Sequence, residues 1–156
     1  MVVCLPATPA LARRGGRVRF RAGGLPGRGA YGPNVLDQDK LERCLRLEGE
    51  INAGAETVDA EEAALNARKA EIERLSREID LRAARVDQYS QVSVDGYNRL
   101  VEQHRSMAGE FNARLSAFNT RVEAHNARVA DFNSLCAERY YYEADMRAAR
   151  SRLGLN

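Results

Sequence analysis

Three cysteines, two histidines and a scatter of carboxylates are the side chains of this sequence with the chemistry to act on something. A thiolate beside an imidazole makes a nucleophile, and histidines gathered with cysteines or acids hold a metal. The spacing supports neither arrangement. His104 and His125 are separated by about 31 Å if both lie on one helix, and His125 stands about 16 Å from Cys136 by the same measure. The acids Glu61, Glu62, Glu71, Glu73, Glu78 and Asp80 interleave with Arg68, Lys69, Arg74, Arg77 and Arg82. That is the pattern of a solvated helix face, in which charges three or four residues apart form surface ion pairs. No catalytic, cofactor-binding or metal-binding set is expected, no small-molecule substrate is implied, and the chain reads as a non-enzyme. The chemistry left is that of cysteines with one another, and the elements that carry them decide it.

Composition points to long helices. The chain has 156 residues, no Trp, 6% aromatic and 29% charged residues, and all four prolines fall at or before Pro33. A Pro-free remainder rich in Ala, Arg, Glu and Leu is what extended helices require. Residues 1–36 differ: they hold six of the 24 basic residues, seven of the glycines and none of the 22 acids, which leaves 18 basic against 22 acidic residues beyond them. They read as a disordered basic leader, and residues 37–152 as the folded part.

Counting by seven from Cys44 gives Ile51, Val58, Leu65, Ile72, Ile79 and Val86; counting back from Cys136 gives Val129, Val122, Leu115, Ala108, Val101 and Val94. An apolar residue at every seventh position is the a row of a coiled coil. The two series lose phase between Val86 and Val94, where Ser90, Ser93, Asp95 and Gly96 favour a turn. The expected fold is therefore all-α: a long antiparallel two-helix coiled-coil hairpin with helix 37–89, turn 90–96, helix 97–152 and a disordered N-terminal tail. Ser93 or Asp95 is the expected cap of the second helix. Folding about residue 90 sets opposite one another the positions whose numbers add to 180. Cys44 then faces Cys136, and the reading is a disulfide between them. A parallel dimer, bridging each cysteine to its own copy, stays open if the phase break is a stutter.

The second helix carries a further repeat. Its d row is Tyr97, His104, Phe111, Phe118, His125 and Phe132, and the next position holds Asn98, Arg105, Asn112, Asn119, Asn126 and Asn133. The apolar and ring rows supply adhesion; an amide at the seam's edge penalises slipped registers, for instance by bonding Glu61 or Glu62 across it. An aromatic row turned outward, against a second hairpin, is the alternative use. The aromatic-Asn heptads of residues 97–133 resemble coiled-coil segments of poorly characterised bacterial exported or envelope proteins. That resemblance implies an extracytoplasmic scaffold and carries over no catalytic residue.

Compartment follows from two stretches. MVVCLPATPALA is a short apolar run ending in the small-x-small box Ala10-Leu11-Ala12, similar to the end of a secretory signal peptide with cleavage near Ala12. A disulfide also needs an oxidising compartment. Periplasmic or secreted localisation is expected, with a cytoplasmic chain as the alternative, and no transmembrane segment. The work expected of such a chain is structural or protein-interacting, with a protein partner or a homo-oligomer. Tyr140, Tyr141 and Tyr142 are candidate contacts, divided between packing on Val35, Leu36 and Leu41 and exposure to a partner. The alternative function is association with nucleic acid through the Arg-rich tail, the hairpin serving to oligomerise.

Overall fold

The computed structural model describes residues 16–27 and 29–155. The elements are β1 (Gly23–Leu25), β2 (Val35–Leu36), α1 (Gln38–Ala83), α2 (Gln91–Cys136), β3 (Tyr140–Tyr142) and α3 (Glu143–Leu153). The protein is an all-α helical hairpin built on the two long packed helices. The chain forms two compact units: the described part of one is Val58–Arg121, and that of the other comprises residues 16–57 and 122–155. The cleavage box at Ala10–Ala12 and Cys4 lie outside the described residues.

In the 58–121 unit, α1 turns back into α2. Leu65, Ile72 and Leu75 of α1 are buried, as are Phe111, Leu115 and Phe118 of α2. Two ion pairs cross from helix to helix: Arg121 Nε to Glu61 Oε2 at 3.0 Å and Arg68 Nη2 to Glu110 Oε2 at 3.3 Å. Their residue numbers add to 182 and 178, straddling the expected 180. The turn is earlier than expected. α1 stops at Ala83, its last turn tightened by the Arg85 N–H donating to the Arg82 carbonyl at 2.9 Å. The cap of α2 is Ser90, not Ser93 or Asp95: its carbonyl accepts the N–H groups of Ser93 and Val94, both at 3.0 Å, and its Oγ accepts from Ser93 N–H at 3.4 Å. A hydroxyl one residue ahead of the helix satisfies donors that the first turn leaves free. Ser93 serves the turn instead, accepting the Asp87 N–H on its Oγ at 3.1 Å, and Asp95 accepts from the Gln91 amide at 2.7 Å.

In the other unit, Cys44 of α1 and Cys136 of α2 form a disulfide with their Cα atoms 5.7 Å apart. Leu36, Leu41, Leu45, Ile51, Phe132 and Ala149 are buried in one cluster with the two cysteines. α1 begins at an Asp cap: Asp37 Oδ1 accepts the Lys40 N–H at 2.9 Å. The second long helix does not run to residue 152. It ends at Cys136, Glu138 takes a left-handed backbone with φ of 55°, and the chain leaves in a new direction. Three consecutive tyrosines, good strand formers, then pair instead of coiling. β3 is the middle strand of a parallel sheet in the order β1-β3-β2, with Gly23 opposite Tyr140 on one side and Val35 opposite Tyr140 on the other.

That sheet changes the reading of the leader. Residues 16–27 and 29–36, expected to be disordered, supply two strands and two apolar side chains, Val18 and Phe20, that pack on the cluster. The reason lies in a partner surface that composition does not reveal. A Cβ at Gly23 would sit 2.7 Å from Tyr140 Cδ1, so any side chain there would displace the Tyr140 ring from β1.

Candidate interaction site

The ring row on α2 is turned inward. Phe111, Phe118, His125 and Phe132 are all buried, whereas the amides beside them sit at the rim: Asn119 and Asn126 half-buried, Asn112 and Asn133 exposed. An outward aromatic row for a second hairpin is therefore spent within this chain. Glu61, one of the two acids expected to answer an Asn, meets Arg121. Asn52 on α1 has a use that the heptad reading missed: its Oδ1 accepts the Val18 N–H at 3.1 Å and fastens the N-terminal segment to the helix.

His125 owes its burial, at 4% exposure, to a glycine. A Cβ at Gly54 would lie 3.2 Å from the imidazole Nδ1, so the ring fills the space a side chain on α1 would take. The sum of these two numbers is 179, again the expected register. His125 and the two bonded thiols of Cys44 and Cys136 are thus committed to structure.

The three tyrosines are brought to one strand but not to one environment. Tyr142 is buried, donates its hydroxyl to the Ala30 carbonyl at 3.2 Å and meets the Tyr31 ring edge-on at 5.6 Å. Tyr141 is half-buried, its ring 6.1 Å from that of Phe20. Tyr140 alone is exposed, at 50%. The Tyr31 hydroxyl donates to Asp145 Oδ2 at 2.7 Å, and this bond to a carboxylate holds the phenol above its ordinary pKa. Packing on Val35 and Leu36 is realised as strand pairing.

Exposed apolar side chains gather around the turn in the 58–121 unit. Tyr89 is fully solvent-exposed, and Val92 and Leu81 are mostly so. The backbone beneath them is held firmly, Asp87 Oδ1 accepting the Tyr89 N–H at 2.9 Å. A fixed turn with an exposed aromatic is the arrangement that binding surfaces favour, because little order is lost on contact. The sequence reading set the turn at 90–96, later than the observed break between Ala83 and Gln91, and so did not single out Tyr89 and Leu81.

No described helix is long and apolar enough to cross a membrane, and no group of three or more His, Cys, Asp or Glu side chains among the described residues could hold a metal. Comparison with protein families, curated sequences and solved structures yields no match.

Proposed function

We propose that this chain is a noncatalytic structural or protein-interaction protein of an oxidising, extracytoplasmic compartment, the bacterial envelope, in which a coiled-coil hairpin presents contact surfaces to a protein partner or a second copy. The observation that carries the reading is the Cys44–Cys136 disulfide. A bridge joining residues 92 apart in sequence is a permanent fastening, and reducing compartments do not maintain such bonds. The firmly held turn bearing Tyr89 and Val92 and the exposed Tyr140 are the surfaces offered.

Fractionation of the native host, with N-terminal sequencing and intact mass of the purified chain, tests the reading. The expected result is an envelope or secreted fraction in which the mature chain starts just after Ala12. A cytoplasmic chain that retains residues 1–12 would overturn it.

A further inference from the structure

The N-terminal segment packs on α1 with alternating sides. From Arg17 to Ala22 burial alternates strictly: Arg17, Arg19 and Arg21 are exposed, while Val18, Phe20 and Ala22 are half-buried. A period of two is that of an extended chain, and the Val18 and Phe20 side chains pack on the core cluster. The segment is held at its backbone by the Val18 N–H bond to Asn52 and leads into β1. Three guanidiniums thus line one side of a fixed segment, about 6.7 Å apart in extended geometry.

These cations have little to neutralise them. Arg17 Nη2 lies 3.7 Å from Glu56 Oε1, with both side chains largely in solvent, and such a pair is weak and easily exchanged. Arg19 and Arg21 enter no ion pair with a described residue. A row of guanidiniums attached to a packed segment loses less order on meeting an anionic surface than the same residues in a free tail.

We propose that Arg17, Arg19 and Arg21 form a cationic strip that binds the headgroups of anionic phospholipids at a membrane surface. The proposal builds on the envelope reading above. Two observations favour lipid over nucleic acid. The one aromatic among these arginines, Phe20, faces the Tyr141 ring and the core, so it offers no platform on which bases could stack. The disulfide also places the chain away from nucleic acid by the compartment argument. Exposed glycines flank the row at Gly16, Gly23 and Gly24, leaving the guanidiniums as its largest protruding groups. Arginines near an anionic leaflet act nearly independently, each changing partitioning about fivefold.

Co-sedimentation of the purified, disulfide-bonded full chain with vesicles of phosphatidylglycerol and phosphatidylcholine tests this. Binding is expected with phosphatidylglycerol present, not with phosphatidylcholine alone, and is expected to vanish as salt screens it. The Arg17→Gln/Arg19→Gln/Arg21→Gln variant is expected to lose about 100-fold in partitioning. The double variant Arg19→Gln/Arg21→Gln, which leaves the Glu56 contact intact, is expected to lose about 25-fold on the same scale. Arg77→Gln/Arg99→Gln/Arg128→Gln removes the same charge elsewhere and is expected to bind nearly as the parent does. Equal losses in both triple variants, retained binding in the strip variant, or tighter binding to single-stranded DNA than to vesicles would each overturn the proposal. Vesicle binding is read on purified protein, so its failure leaves the envelope reading standing, and a cytoplasmic location would undo that reading without altering the partition result.

Discussion

At the scale of single residues, the stability of this protein turns on what each side chain is given to touch. Gly54 and Gly49 both sit inside α1, where glycine costs about 1 kcal/mol relative to alanine. Gly49 has open space beside it, whereas Gly54 is pressed by His125. Gly49→Ala is therefore expected to stabilise by about 0.5–1 kcal/mol in urea unfolding. Gly54→Ala gains the same helix propensity but must push the imidazole aside, so it is expected to fall short of Gly49→Ala; equal gains would show that the ring is not packed there. Asp37 is a second such residue. The Lys40 backbone N–H, then the Lys40 side chain, hold its carboxyl below the ordinary value of 3.8. A lowered folded-state pKa contributes stability that is present above pH 3.8 and is lost as pH falls through the folded value. Asp37→Asn keeps a capping oxygen and removes the titration, so the variant is expected to lose less stability than the parent between pH 5 and pH 2; Asp37→Ala is expected to cost about 1 kcal/mol at neutral pH.

At the scale of elements, the helices were legible and the sheet was not. Heptad phase located both long helices because a seam imposes one apolar residue per seven, and the register emerged from the meeting of two cysteines. Glu61–Arg121, Arg68–Glu110 and Gly54–His125 agree with it inside their own units. The cap was misplaced because Ser90, Ser93 and Asp95 are all competent, and only the backbone path chooses Ser90. Ser90→Ala is expected to cost about 1 kcal/mol, with Ser93→Ala also costly through the Asp87 N–H; a silent Ser90→Ala would contradict the observed cap. The end of α2 was hidden for a different reason. Tyr140–Tyr142 pair with strands more than 100 residues earlier in sequence, and no local window contains that information. The alternation of RVRFRA was present in the leader, but an Arg- and Gly-rich composition masked it. The candidate site was legible in part: the heptad pattern gave the ring row with inward packing as its expected use and an outward face as the alternative, and Phe111, Phe118, His125 and Phe132 are buried.

At the scale of the whole molecule, one covalent bond closes the chain. Joining residues 92 apart stabilises the folded state by about 4–5 kcal/mol in the chain-entropy picture. That is a large share of the stability of a domain this size. Cys44→Ser/Cys136→Ser is accordingly expected to lower the unfolding free energy by about 4 kcal/mol, and helical signal in the absence of denaturant is expected to persist. Both cysteines are almost wholly buried, so a thiol reductant is expected to act on the bridge only as denaturant opens the fold. The same bond ties shape to compartment, because it connects the hairpin register to the claim that the protein works outside the reducing cytosol. Acid quenching of native-host cells, alkylation of free thiols in denaturant, and mass spectrometry form the most direct test. Cys44 and Cys136 are expected unalkylated, recovered as one intrachain bridged peptide pair. Both cysteines alkylated, or Cys44 bridged to Cys44 of another chain, would contradict it.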